Sequence, residues 1–277
     1  MSFQFLLPLA TYPDPTPSAA LGRAVDLVAT VTGRLTAAVH ELDVPPLRNP
    51  VAEAVAHVST MAAQAEAGSS SRADALVEEL ERITRYFRID LEARRLRCRP
   101  DQLAARLARL ARTYDYTLAV VDKDAAVQRE IAEATIFGSG GPVVLLPGRD
   151  VPAHLNSVVI AWDGSRAAAR SVRDALPILR LASGVTVATV EDDKVIGPAG
   201  VAELRSFLSF HGIEAQHAAT TRGNKPIGIA LQAFAMEQDA GLLVMGAYGH
   251  SWLQELVLGG ATTEVIANPR LPVLVSH

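Results

Sequence analysis

The chain has 277 residues, 49% of them apolar and 20% charged, with 26 basic against 30 acidic side chains and a formal net charge of −4. That length predicts two domains, each able to bury a sizeable core, and the composition excludes a largely disordered chain. The weak negative charge gives no electrostatic reason to expect nucleic acid, and the single cysteine, Cys98, excludes an intramolecular disulfide framework or a multi-cysteine zinc site.

The opening stretch MSFQFLLPLATYPDP has neither the basic nor the long apolar region of a secretory signal. The apolar runs fall far short of the ~20 residues of a membrane span, so a cytoplasmic protein with no membrane contact is expected. Residues 5–10 read as a strand and 19–31 as a helix. A strand follows over 35–42, then a largely helical stretch over 51–86 and an alternating strand over 88–98. Residues 103–112 read as a helix, 116–121 as a strand, 125–136 as a helix and 142–146 as a closing strand. The run Phe137-Gly138-Ser139-Gly140-Gly141 reads as the turn that ends the last of these helices.

The order then repeats. Ser157–Trp162 is a short apolar run of the kind buried in parallel sheets. Helices over about 165–181, 199–211 and 226–238 alternate with strands over 185–190, 214–219 and 241–245. A glycine-containing loop, a helix through 262–267 and a strand over 272–276 complete the chain. Both closing strands begin Pro-Val, at Pro142-Val143 and Pro272-Val273. Strands and helices in this alternation predict right-handed βαβ units. The expected fold is therefore α/β: two tandem doubly wound, Rossmann-like domains, each a five-stranded parallel sheet flanked by helices. Their expected bounds are 1–147 and 155–277, joined by the Pro- and Gly-containing linker 147–152.

The chemistry concentrates in the second half. Gly246 and Gly249 follow the strand that ends at Met245, nine residues separate Gly249 from Gly259, and Gly260-Ala261-Thr262 leads into a helix. Glycines beyond a parallel strand let the backbone approach a ligand and turn its N–H groups toward it, and the next helix adds a positive dipole end. Asp163 falls at the carboxyl edge of the sheet, where open α/β folds bind ligands, and a carboxylate there can accept from a ribose hydroxyl or an adenine amino group. The structural alternative for Asp163 is an N-cap or Asx-turn, and for the glycines tight turns without ligand. Trp162 suits packing at the sheet edge better than stacking on a ligand, and His250 suits a polar surface role better than catalysis.

The pattern Gly-x2-Gly-x9-Gly, between Leu-Leu-Val-Met and a final Pro-Val-Leu-Val, resembles the universal stress protein family, as does Val158–Ser165. The resemblance covers nearly all of 155–277 and extends more weakly over 1–150, the pattern of a tandem member. It implies an adenine nucleotide (ATP, ADP or AMP), with Mg²⁺ as its companion ion. Ala161, Trp162 and Asp163 would face the adenosine and Val190 would line the adenine pocket. Met245, Gly246, Gly249, His250 and Gly259 would follow the ribose and phosphates, with Gly260, Ala261 and Thr262 completing the phosphate loop. The chain departs from the family where Gly260 replaces a Ser or Thr; a hydroxyl donor is lost there, and Thr262 can partly substitute.

The first half has Asp122-Lys123-Asp124 where the glycines should stand, and its carboxylates would repel phosphate. It is expected to bind no nucleotide and to take the partner position of a second subunit, an intramolecular pseudo-dimer. Exposed sheet edges or the closing strands offer routes to a further homodimer. Seven arginines between Arg82 and Arg99 read as a solvated face or as interdomain ion pairs. Arg222 and Lys225 read as solvated loop charge. With no Walker-type loop, evident general base or metal cage, the implied function is regulatory binding in a stress response, read by an unknown protein partner, with at most slow ATP hydrolysis. The alternative is an interaction module of the same fold that binds no nucleotide.

Overall fold

The computed structural model describes residues 2–45, 58–149, 151, 155–193, 196–247 and 261–277. The first half runs β1 (Phe3–Leu9), α1 (Ala19–Val31), β2 (Gly33–Leu42), α2 (Val58–Phe87), β3 (Leu91–Cys98), α3 (Pro100–Ala111), β4 (Tyr116–Val121), α4 (Ala126–Gly138) and β5 (Val143–Pro147). The second runs β6 (Ser157–Ala161), α5 (Arg166–Leu179), β7 (Gly184–Val190), α6 (Pro198–Phe210), β8 (Ala215–Thr220), α7 (Ile227–Glu237), β9 (Leu242–Gly246), α8 (Ala261–Ala267) and β10 (Val273–Ser276). The α/β alternation is as expected, and residues 51–57 of the anticipated long helix lie outside the described residues. No helix among the described residues is long and apolar enough to cross a membrane.

Each half is a five-stranded parallel sheet, but the two sheets are one. The strand order is β3-β2-β1-β4-β5-β10-β9-β6-β7-β8, and β5 and β10 pair antiparallel at its centre. Val143 pairs with Val275, Val144 with Leu274 and Leu145 with Val273, so a pseudo-twofold axis passes through the Val144–Leu274 pair. The ladders of the halves match throughout. Phe5 opposes Leu35 as Val158 opposes Val185, and Leu35 opposes Leu91 as Val185 opposes Ala215. Phe5 opposes Tyr116 as Val158 opposes Leu242, and Thr117 opposes Val143 as Leu243 opposes Val273. This closure overturns one expectation: the closing strands spend their free edges on each other, which leaves β3 and β8 as the outer strands.

Helices on both faces explain why the inner strands are continuous apolar runs such as Tyr-Thr-Leu-Ala-Val-Val in β4. On one face α1, α2, α5 and α6 bury a cluster running from Leu7 through Leu118, Val144, Leu274 and Val244 to Ile160 and Val187. On the other, α4, α7 and α8 cover Ala119, Leu145, Val273, Met245 and Val190, while α3 packs on Leu6 and Ala38. Both of the larger clusters cross the β5–β10 seam. So does a hydrogen bond from the buried Tyr116 hydroxyl to the Asp174 carbonyl at 2.7 Å; desolvation pushes that phenol well above its ordinary pKa.

Among the described residues the ion pairs of the arginine-rich segment stay within its own half. Arg95 bridges Glu41 and Asp74, Arg97 meets Asp43 and Glu66, and Arg82, Arg94 and Arg99 pair with Glu79, Glu92 and Asp101. Cys98 is 2% exposed, and burial raises its thiol pKa, which makes it an inert core residue.

Leu274 is fully buried in the cluster shared by the halves. Leu274→Ala should cost about 2–5 kcal/mol. Circular dichroism, which senses both halves, and tryptophan fluorescence should report one lowered unfolding midpoint; two separated transitions would show that the halves unfold independently.

Candidate functional site

In a parallel sheet the carboxyl ends of the strands lie along one edge, and the crevice opens where successive connections leave in opposite directions. In the second half that point lies between β6 and β9, since β6 leads to α5 on one face and β9 leads toward α8 on the other. The strand-end residues Ala161, Val190 and Met245 gather on the α7 and α8 face. Trp162 packs on the opposite face, its N–H donating to the Ala188 carbonyl at 2.9 Å, while its indole Nε1 is buried without a hydrogen-bond partner.

Asp163 forms an Asx-turn, not the cap of α5: its Oδ1 accepts from the Ser165 N–H at 2.9 Å. Ser165 is the N-cap, its Oγ accepting from the Ala168 N–H at 3.1 Å, and Gly164 between them has φ +70°. The second carboxylate oxygen of Asp163 accepts no hydrogen bond among the described residues.

Gly246 is required by packing. A Cβ there would lie 2.4 Å from the Ala168 nitrogen and 2.6 Å from the Ala167 carbonyl carbon, so β9 can touch the first turn of α5 only as glycine. A bulky residue at 246 would therefore disturb the fold itself and not only a ligand site. Ala261 opens α8, and its carbonyl would lie 2.5 Å from a Cβ on Gly228 of α7, whose N–H donates to Glu264 at 3.2 Å. Thr262 is buried inside α8. Gly249, His250, Gly259 and Gly260 lie outside the described residues. No group of three His, Cys, Asp or Glu side chains among the described residues could hold a metal ion.

Two contacts at this edge escape a reading by motif. Asp192 accepts from the N–H groups of both Arg222 and Gly223 at 2.8 Å, tying the loop after β7 to the loop after β8. The Arg222 N–H is the main cause holding its carboxyl below the usual carboxylate range. Arg222 also lies 3.8 Å from Asp193, so it belongs to this loop lock more than to open solvent. The Gly228–Glu264 contact likewise fixes the start of α8 against α7, and a lone glycine in an otherwise apolar helix was its signal in the sequence.

The matched ladders identify the counterpart of each residue. Asp163 corresponds to Ala10, Val190 to His40 and Gly246 to Val120. All three first-half residues are buried, and their edge is filled from within. The Leu42 N–H donates to Ser69 Oγ at 2.9 Å, Ser69 Oγ lies 2.7 Å from Thr11 Oγ1, and Thr11 Oγ1 donates to the His40 carbonyl at 2.8 Å. From α2, Arg72 reaches the Thr11 carbonyl at 3.0 Å. After β4 the Asp122 N–H donates to Gln128 and the Lys123 N–H to Asp122, both at 2.8 Å, so these backbone donors are already engaged.

Residues 154–277 match the sequence model of the universal stress protein family. No curated protein matches the chain. Among solved structures, a universal stress protein from Archaeoglobus fulgidus is 16% identical, with a TM-score of 0.67 over 98% of this chain and 95% of that one. A functionally unknown protein from Pseudomonas aeruginosa is also 16% identical, with a TM-score of 0.55 over 98% and 92%. These likenesses span both halves and show the shared fold, and the likeness to the universal stress protein family in sequence lies in residues 154–277.

Gly246→Ala should destabilise by about 1–3 kcal/mol through overpacking. Gly68→Ala, inside α2 with no atom within 4 Å of the added methyl, should stabilise by about 0.5–1 kcal/mol. Scanning calorimetry of both variants checks the contrast.

Proposed function

We propose that residues 155–277 form a universal stress protein domain that binds one adenine nucleotide at the carboxyl edge of β6, β7 and β9, and that residues 1–147 form a companion domain that binds none. The reading is carried by one contrast: β6 leads into an Asx-turn whose second carboxylate oxygen, on Asp163, is uncommitted among the described residues, whereas the same place in the first half is Ala10 beneath a closed network of side chains. Ala161 and Asp163 would meet the adenosine, with Val190 and Met245 beneath it, while the Trp162 side chain, expected from the sequence to join them, packs on the opposite face. Gly246, Gly249, His250, Gly259, Gly260, Ala261 and Thr262 would follow the ribose and phosphates. Gly246 alone does not argue for a ligand, because the packing of α5 demands it in any case.

Mg²⁺, where present, would enter as a companion of the phosphates, held by them and by water. With no general base or metal cage in the reading, the bound nucleotide serves as a signal more than as a substrate. It would order the loop over 246–260 and alter a surface read by a protein partner in a cytoplasmic stress response.

Calorimetric titration with ATP and Mg²⁺ should show one site per chain, and protein purified without added nucleotide should release adenine nucleotide on denaturation. Asp163→Ala should weaken binding by about tenfold or more, the worth of a charge-assisted hydrogen bond. A titration without heat, with no nucleotide released, would leave the interaction module as the better reading.

A further inference from the structure

The halves also differ on the α6 side of β7 and β8. Side chains along β7 alternate: Val187 enters the cluster under α5 and α6, while Ala188 and Val190 enter the one under α7 and α8. Thr189 and Glu191 therefore face α6, across the sheet from Val190. A cavity of about 490 Å³ opens there, lined by Thr189, Glu191, Ile196, Val201, Arg205 and His217 among others, within the range of small-molecule sites.

The first half shows what belongs in that space. Val39 opposes Arg95 as Thr189 opposes Ala219, so Glu41 corresponds to Glu191 and Arg95 to Ala219. Counting back along the uninterrupted helices from the same ladder pairs Asp74 of α2 with Pro198 of α6. The Arg95 guanidinium bridges Glu41 and Asp74. In the second half Ala219 supplies no guanidinium, and the Glu191 carboxylate has no ion pair or hydrogen bond among the described residues. Across the cavity Arg205 spends its Nε on the Ala215 carbonyl at 2.8 Å, and its two Nη groups bind no acceptor among the described residues. His217 is tied to Thr189 at 2.9 Å. A carboxylate and a guanidinium thus line one cavity without meeting each other, between the apolar walls of Ile196 and Val201.

We propose that this cavity binds a small zwitterion of the arginine type, its guanidinium or ammonium on Glu191, its carboxylate on the Nη groups of Arg205 and its aliphatic stem against Ile196 and Val201. The cation takes the place that Arg95 fills in the other half, and the carboxylate gains the forked geometry that guanidinium offers.

Titration of the full chain with L-arginine should show one site. Glu191→Gln should weaken it at least tenfold without changing the adenine-nucleotide titration, which separates this site from the crevice at Asp163. Ala219→Arg, which copies the first half, should abolish arginine binding and raise the melting temperature. Agmatine, the same cation without the carboxylate, should bind at least tenfold more weakly than arginine, and Arg205→Gln should erase that difference. Absence of binding to the unaltered chain, or equal affinity in the Glu191→Gln and Ala219→Arg variants, would overturn the proposal; equal affinity for agmatine and arginine would overturn the role of Arg205.

Discussion

Three backbone pairings, centred on Val144 and Leu274, join two parallel sheets into one, and the remaining architecture depends on that seam. A free edge on β5 or β10 would expose unpaired N–H and C=O groups beside fully buried valines and leucines, a template for unwanted association. Antiparallel closure satisfies both edges at once and lets the apolar clusters on the two faces continue from one half into the other. The outer strands that remain are more polar: β3 is studded with arginines paired to acids of β2 and α2, and β8 exposes Gln216 and His217.

A duplicated fold supplies its own control. The ladders correspond residue for residue, so differences between the halves isolate what each side chain does in its place. Ala10, His40 and Val120 are buried where Asp163, Val190 and Gly246 stand. The helix α2, 30 residues against 13 in α6, brings Ser69 and Arg72 over that edge. Net hydrogen-bond energies of about 1 kcal/mol each, with larger penalties for leaving a buried partner unsatisfied, make such a chain of contacts costly to open for a ligand. The first half thus spends its strand ends on internal order, and the second, among the described residues, leaves one carboxylate oxygen of Asp163 uncommitted.

Much of the fold was legible in the sequence because buried parallel strands are written as uninterrupted Val, Leu and Ala runs, with helices of regular length between them. The shared Pro-Val openings exposed the duplication, but nothing in them told that the closing strands would pair with each other. That outcome depends on how two surfaces meet, and no local pattern encodes it. At the site, the sequence left Asp163 open between a ligand contact and an N-cap or Asx-turn, because Asp-Gly-Ser before a helix offers two residues that can cap it; the structure gives the Asx-turn to Asp163 and the cap to Ser165. Gly246 was read as room for a ligand, whereas its neighbours Ala167 and Ala168 claim that room; a clash with a helix some 80 positions away in the chain leaves no signature beside the glycine. Asp192 and Glu264 went unnoticed for the same reason, their partners being distant N–H groups.

The central claim is an asymmetry between halves built on one plan, and a crystal structure determined with an adenine nucleotide tests it most directly. The account expects density for a single nucleotide in contact with Asp163, at the carboxyl edge of β6 and β9, and an unaltered contact between Thr11 and Ser69. Density beside Ala10 and Val120, or in both halves alike, would contradict it.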